Sequence, residues 1–447
     1  MALIISVSGI RGVVGRELTP QVAVEVGCAF GHFLGGGKVV LAGDTRPSGA
    51  MVRAAVASGL MASGCTVVDL GVVTTPGAAL MVRSLGADGG VVVTASHNPP
   101  EYNGIKLLSG QGWALPAEQM AKVRQILEAG DFELADGERS GMIEDEPDTH
   151  ARHVAAVLGI VDAGAIAARK LRVVLDSING AGCVGTPMLL EKVGCQAVHI
   201  NAEPHGRFAH MPEPIEPHLE QLCQAVAREG ADVGFAQDPD ADRLVIVDEC
   251  GRFIGEEYTL ALAAQQVLGQ RPGPVAANLS TSRLIDDVAA RAGCRVHRTP
   301  VGEANVAQAI VAHGCTIGGE GNGGVIDPRV VPVRDSFVAI GLICQLLADS
   351  GKTVGELVGD LPRYVMIKQK FQCDAARVEG ALKAVEEAFS SGGINRSDGV
   401  RVDLEGGWVH VRASNTEPIM RVIAEAADER TARGLTERAR GAIDGIT

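Results

Sequence analysis

The chain has 447 residues, 46% apolar and 21% charged, enough at ~100–200 residues per domain for three or four cores, which excludes a disordered or fibrous protein. Its 54 acidic against 40 basic residues leave a net charge of −14, the opposite sign to that of a nucleic-acid or anionic-membrane binder, so an anionic small molecule would have to be met by local cations or a metal. Ten cysteines stand singly with no Cys-x-x-Cys, as expected of a protein kept reduced in the cytoplasm, and no apolar run reaches the ~18–20 residues of a membrane span.

In chain order, the apolar stretch 1–7 lacks a basic start and reads as a first strand rather than a signal peptide. It runs into Ser8-Gly9-Ile10-Arg11-Gly12, where Arg11 suits either an anion or a paired carboxylate. Three times thereafter a valine-rich run ends in a polar turn, at 38–49, 171–182 and 274–283, and an Ala/Leu-rich helical stretch follows. A Gly-Cys step and a second apolar strand come next, at 64–68, 194–198 and 293–296, and a third strand closes each unit at 89–94, 233–237 and 316–319. Strand, helix, strand, helix, strand predicts three α/β units with mostly parallel sheets. Beyond about 362 the pattern changes to a charged helical stretch (375–389), a loop (390–399), the alternating Gly407-Trp408-Val409-His410-Val411-Arg412 and a strand at 419–425. The expected architecture is three similar mixed α/β domains (1–150, 151–252, 253–362) and a smaller C-terminal α+β domain (363–447).

Each third strand ends in a polar loop, and ligands of open α/β sheets collect beyond the carboxyl ends of strands, so the loops predict one shared central cleft. The first reads Thr94-Ala95-Ser96-His97-Asn98-Pro99-Pro100, with Lys106 beyond. A turn capping a following helix weighs there as much as a nucleophilic or phosphate-carrying Ser96 assisted by His97 and Lys106. The absence of Gly-x-Ser-x-Gly argues against an α/β-hydrolase. In the second loop, Asp238-Pro239-Asp240-Ala241-Asp242-Arg243, three close carboxylates need a cation to balance them, and hard oxygen ligands favour magnesium or calcium. An EF-hand does not fit, because Arg243 replaces the glycine required at the sixth position and a strand follows. Arg412-Ala413-Ser414-Asn415-Thr416, with Arg421 beyond, is either a phosphate-holding loop or a polar hairpin turn. Thr299-Pro300-Val301-Gly302 carries less information, and Asp44-Thr45-Arg46 and Arg334-Asp335 read as structural turn or salt-bridge residues.

In order and spacing, Ser-Gly-Ile-Arg-Gly, Thr-Ala-Ser-His-Asn-Pro with Asn103-Gly104-Ile105-Lys106, Asp-Pro-Asp-Ala-Asp-Arg and Arg-Ala-Ser-Asn-Thr-Glu-Pro resemble the α-D-phosphohexomutases over essentially the whole chain. The resemblance implies a phosphoserine at Ser96 and Mg2+ held by Asp238, Asp240 and Asp242 against an oxygen of the Ser96 phosphate. Arg243 would contact that phosphate, and Lys106, Arg11 and His97 would assist proton and charge transfer. Glu320 would receive sugar hydroxyls. Arg412, Ser414, Asn415, Thr416 and Arg421 would hold the non-reacting phosphate, and Ser8, Gly302 and Asn322 complete the substrate-binding set. It further implies a hexose 1,6-bisphosphate as activator and intermediate, a last domain that moves like a lid, and a monomer or homodimer. The family's sugar loop often reads Gly-Glu-x-Ser-Gly-His, whereas here it is Gly319-Glu320-Gly321-Asn322-Gly323-Gly324, with no histidine. That form looks like the archaeal-type phosphoglucosamine mutases and points to glucosamine phosphate, with glucose or mannose phosphates as the alternative. Outside mutase chemistry stand a Mg-dependent phosphatase using Asp238 as nucleophile, and a silent sugar-phosphate-binding regulator.

Overall fold

The computed structural model describes residues 3–6, 9–414 and 419–445. The first sheet has seven strands in the order Ile4–Ser6, Gly9–Val13, Tyr102–Ser109, Gly89–Val93, Gly37–Gly43, Cys65–Val72, Ile143–Asp145. Its centre is the expected parallel trio, with the third strand of the unit beside the first and the first beside the second. The next two sheets repeat that order. Val233–Gln237, Arg172–Asp176 and Gln196–Ile200 run parallel in one, and Ile317–Glu320, Val275–Asn278 and Val296–Thr299 in the other.

To each trio the chain adds an antiparallel strand directly after the polar loop: Tyr102–Ser109, Leu244–Val247 and Gly324–Ile326. The element after the Ser96 loop is therefore a strand, not a helix, which removes the helix-cap reading of that serine. Each loop turns the chain back on itself at the carboxyl end of a strand buried along its whole length, and this fixes where its side chains point.

The C-terminal sheet is five-stranded and wholly antiparallel: Val365–Gln372, Ile419–Ala426, Gly407–Ala413, Val400–Leu404, Gly393–Asn395. The stretch read as a loop at 390–399 holds its short edge strand. A three-residue strand with an Asp and Gly turn beside it carries almost no period-2 signal. Helices Val378–Ala388 and Glu429–Asp444 pack on this sheet around Val385, Phe389, Val402, Val409 and Met420. This core is separate, whereas one continuous apolar core runs through the three α/β units from Val40 to Leu361.

Helix starts follow local chemistry. Thr19 accepts from Val22 N ahead of Pro20–Leu34, which also has proline at its first turn, and Asp335 accepts from Phe337 N and Val338 N ahead of Ser336–Ser350. The high glycine content serves packing as well as loops. Where Pro20–Leu34 crosses Gly49–Ala62, a Cβ at Gly27 or Gly59 would run into the other helix's backbone. No single helix among the described residues is long and apolar enough to cross a membrane.

Candidate functional site

The Ser96 loop is built on Asp44 and Arg46. Strand Gly37–Gly43 delivers them beside the end of Gly89–Val93. Thr94 Oγ1 donates to Asp44 (2.6 Å) and accepts from Ser96 N (2.9 Å). The Arg46 guanidinium donates to the carbonyls of Ser96, Asn98, Pro99 and Tyr102 at 2.6–2.8 Å, and its Nε to Asp44 at 3.2 Å. This clamp holds Ser96 at φ +48°, a left-handed conformation that a side-chain-bearing residue keeps only when its surroundings over-determine it. Arg46 is structural, as expected from sequence, but what it structures is the reactive loop.

The second loop meets the first. Ser96 Oγ donates to Asp238 Oδ2 at 2.6 Å, and Asp238 Oδ1 accepts from Asp242 N and Arg243 N at 3.1 Å each. Lys106, on the antiparallel strand after the Ser96 loop, donates to Asp240 at 2.6 Å and lies 3.4 Å from Asp242. Thr75 donates to Asp240 at 2.5 Å. The three carboxylates are buried and offer oxygens within 4.8 Å of one another. Burial and the charges of Asp242 and Asp240 push Asp238 well above the usual carboxylate range. Burial would push Asp240 and Asp242 up as well, but Lys106 on the first and Arg334 on the second hold both below it. Among the described residues, Asp240 Oδ1 and Asp242 Oδ1 are buried without a hydrogen-bond partner, Arg243 Nε lying 3.8 Å from the second. Two orphaned anionic oxygens beside a third carboxylate fit a hard divalent cation, and these residues can hold a metal.

Arg11, His97 and Arg243 line the same space. Arg11 Nη1 donates to Asn98 Oδ1 at 3.2 Å, and among the described residues the Nε of Arg11 and of Arg243 are buried without a hydrogen-bond partner. His97 Nδ1 lies 3.4 Å from Ser96 Oγ, and burial, then Arg243 and Arg11, pull its pKa down to about 3, so the ring is neutral at physiological pH. Two guanidiniums with buried unused donors beside a serine hydroxyl suit a phosphate.

The third loop carries Glu320 on the last residue of its strand. One carboxylate oxygen accepts from Asn278 (2.7 Å) and Gly302 N (3.2 Å), and the other from Arg334 at 2.8 Å. Asn322 Oδ1 is buried without a partner. Ser96, His97, Arg11, Lys106, the three aspartates, Arg243 and Glu320 thus form one connected cluster, closed by Arg334. The Arg412 side reaches it indirectly: Asp398 takes Arg412 Nε at 2.9 Å and Val301 N at 2.9 Å, which ties the C-terminal domain to the 299–302 segment. Arg412 faces Arg421 across the strands, and Arg421 faces Lys370, with Arg421 and Lys370 exposed. Of these three cations in one cross-strand row, Arg412 is paired with Asp398, and the exposed Arg421 and Lys370 leave positive charge open to an anion. Ser414 N donates to Ile419 O at 2.8 Å. Ser8, Asn415 and Thr416 lie outside the described residues.

Sequence reasoning misses Thr75, Glu303 and the part played by Arg334. It also misses Glu257, beneath the sugar loop, whose carboxylate accepts from Ser282 N at 3.0 Å and would be struck by any Cβ at Gly321. Glu257 borders a separate cavity of about 480 Å³ among Glu256, Tyr258, Tyr364, Lys368 and Glu425. Burial pushes its carboxyl up to about 8, against the opposing pull of Lys368. The folded chain therefore holds a proton that the unfolded chain releases near 4.5, so stability falls as pH rises from there through 8. Glu257→Gln removes that slope. Melting curves are expected to show the variant gaining a few degrees on the parent between pH 5 and pH 8, whereas parallel curves would rule out a buried neutral Glu257.

Four successive segments, 3–134, 148–251, 256–364 and 366–442, match the α/β/α domains I, II and III and the C-terminal domain of phosphoglucomutase/phosphomannomutase. The chain belongs to the phosphoglucomutase/phosphomannomutase family. It is 43% identical to a phosphoglucomutase/phosphomannomutase of Thermococcus kodakarensis, with 96% of each chain covered. It is 41% identical to a protein named "probable phosphoglucosamine mutase" of Methanopyrus kandleri, over 96% of this chain and 95% of that one. Among solved structures, a phosphoglucomutase/phosphomannomutase family protein from Burkholderia thailandensis superposes with a TM-score of 0.87 at 28% identity, over 99% of this chain and 97% of that one. In this family member the Ser96, Asp238–Asp242, Glu320 and Arg412 loops fall one in each of the four matched segments.

Proposed function

We propose that this family member interconverts the 6- and 1-phosphates of a hexose through a phosphoserine at Ser96 and a bisphosphorylated sugar, with glucosamine phosphate as its sugar. The observation that carries the reading is the 2.6 Å contact between Ser96 Oγ and a metal-competent aspartate cluster, flanked by Arg11 and Arg243. Phosphoryl transfer needs positioning and charge neutralisation more than covalent machinery. Magnesium, when held by Asp238, Asp240 and Asp242, supplies positive charge at the Ser96 phosphate. Arg11 and Arg243 take the phosphate oxygens with donors now unused. Lys106, kept protonated by Asp240 and Asp242, supplies charge and a proton at the same place. Neutral His97 offers a hydrogen bond to the serine oxygen without adding a cation. Glu320, fixed on both oxygens, receives sugar hydroxyls, and Arg412 and Arg421 hold the phosphate that is not reacting.

In each half-reaction one phosphorus–oxygen bond breaks at Ser96 or the sugar and another forms at the other partner. The bisphosphate turns between the halves. The separate core of the C-terminal domain supports a lid movement that keeps water out meanwhile. For the sugar, relatives bearing both names are similarly close, and the histidine-free loop favours glucosamine.

Labelling with glucose 1,6-bisphosphate carrying radioactive phosphorus, followed by peptide mapping, tests the carrier. Label on Ser96, stable to hydroxylamine, is expected. Hydroxylamine-labile label on Asp238 would replace this reading with the phosphatase one. Turnover of glucosamine 6-phosphate should exceed that of glucose and mannose phosphates, and the reverse order would reassign the sugar.

A further inference from the structure

The sugar loop carries no side chain at Gly324, and the structure contains what occupies that place. A Cβ built on Gly324 would overlap Arg334 Cδ and lie 2.8 Å from its Cγ. The stem of Arg334 thus runs across the bare Cα of Gly324. From there the guanidinium reaches three carboxylates: Nη2 donates to Asp242 at 2.6 Å, Nη1 to Glu320 at 2.8 Å, and Nε lies 3.2 Å from Glu303. Its backbone is pinned on both sides of the side chain. Arg334 N donates to Glu303 at 3.1 Å, and the next residue, Asp335, donates its N–H to Val325 O at 2.8 Å. Arg334 is 8% exposed, so it has no solvent-facing alternative.

We propose that Arg334 is a positioning residue that couples the metal-binding carboxylates to the sugar-binding one, and that Gly324 is glycine in this chain in order to admit it. The inference rests on the mutase reading above. Asp242 belongs to the second α/β unit, while Glu320 and Glu303 belong to the third. Two buried carboxylates and a half-buried one, converging from two units, repel unless a cation sits between them. A planar fork aims one N–H at Asp242 and another at Glu320 while keeping its charge 3.2 Å from Glu303, which a lysine ammonium does not. Charge placed on Asp242 by a metal is therefore felt, through one rigid group, at the carboxylate that receives sugar hydroxyls. A permanently charged side chain from behind the loop thus fills the space that a side chain at Gly324 would need.

A double-mutant cycle in the full-length chain tests this: Gly324→Ala, Arg334→Ala and the double variant, with Arg334→Lys alongside. For each, the KM for glucosamine 6-phosphate, the Mg2+ concentration at half-maximal rate and the melting temperature without metal are measured. Each single variant is expected to raise both the KM and the Mg2+ midpoint about tenfold, as loss of a group orienting metal ligands does. The double variant should be no worse than Arg334→Ala, because the added methyl overlaps the arginine stem and its next neighbour, Asn322 Oδ1 at 3.2 Å, needs to give by only a few tenths of an ångström. Arg334→Lys should keep kcat within a few-fold while the KM and the Mg2+ midpoint still rise together. Multiplying effects in the double variant, or a lowered melting temperature with unchanged KM and Mg2+ midpoint, would overturn the proposal. Should Arg334→Ala not fold, Gly324→Ala decides by itself, and parent-like values sink the idea. A parent chain without mutase turnover would remove the mutase reading alone, and the melting temperatures of the cycle would still show whether Gly324 and Arg334 are coupled.

Discussion

Ser96→Ala is expected to fold like the parent and to lose turnover by roughly 10⁴-fold or more, even with hexose 1,6-bisphosphate supplied. The argument is one of atoms. The hydroxyl is the acceptor to which the phosphoryl group must return, and neither neutral His97 nor the metal-binding aspartates can replace an alkoxide there. Folding should survive because the loop is held by its backbone: the Arg46 clamp takes the carbonyls of Ser96, Asn98, Pro99 and Tyr102, and the Ser96 N–H is held by Thr94. Steady-state kinetics with a coupled assay, beside a melting curve, separates the two effects. Parent-like turnover in the variant would remove the phosphoserine from the mechanism.

The second large effect is at Asp238. It alone of the three aspartates lacks a lysine or arginine side chain within ion-pair distance, and burial with two acidic neighbours pushes its pKa well up. A raised carboxyl pKa is a stability that is present at low pH and lost as pH rises through the folded value, so the metal-free parent should weaken on going alkaline. Asp238→Asn keeps the shape and cannot ionise. Without metal it should therefore melt at or above the parent at pH 8. With metal the order reverses: the parent gains stability on adding Mg2+, while the variant gains little and turns over about 10³-fold more slowly. Melting curves with Mg2+ and with a chelator check both halves. An Asn variant that responds to Mg2+ like the parent would move the cation elsewhere.

Much of this site is legible in the sequence because its parts are local. Each polar loop follows a short stretch of apolar residues and glycines, so Ser96, Asp238 and Glu320 fall at or just beyond strand ends by counting alone. The threefold Gly-Cys spacing gives the parallel trios. What resists reading is non-local. Arg334 finds Asp242 across 92 residues and Glu320 across 14, and a lone Arg-Asp pair ahead of an apolar helix looks like a cap. It is a cap too: Asp335 serves helix Ser336–Ser350 while Arg334 turns the other way into the site. Arg46 shows the same limit, since its carbonyl partners lie 50–56 residues on. Tyr102–Ser109 could have been read as a strand, since Gly104 disfavours a helix there. The edge strand Gly393–Asn395 could not, because three residues hold no period.

The central claim, that a phosphoryl group passes between two sugar positions by way of the enzyme, is tested most directly by a 31P NMR time course. The reaction holds the full-length chain, Mg2+, glucosamine 6-phosphate and a trace of hexose 1,6-bisphosphate. The expected record is a 1-phosphate signal growing at the expense of the 6-phosphate to a fixed ratio, with no inorganic phosphate. Inorganic phosphate growing alone would mean that water is the acceptor, and would contradict the mutase.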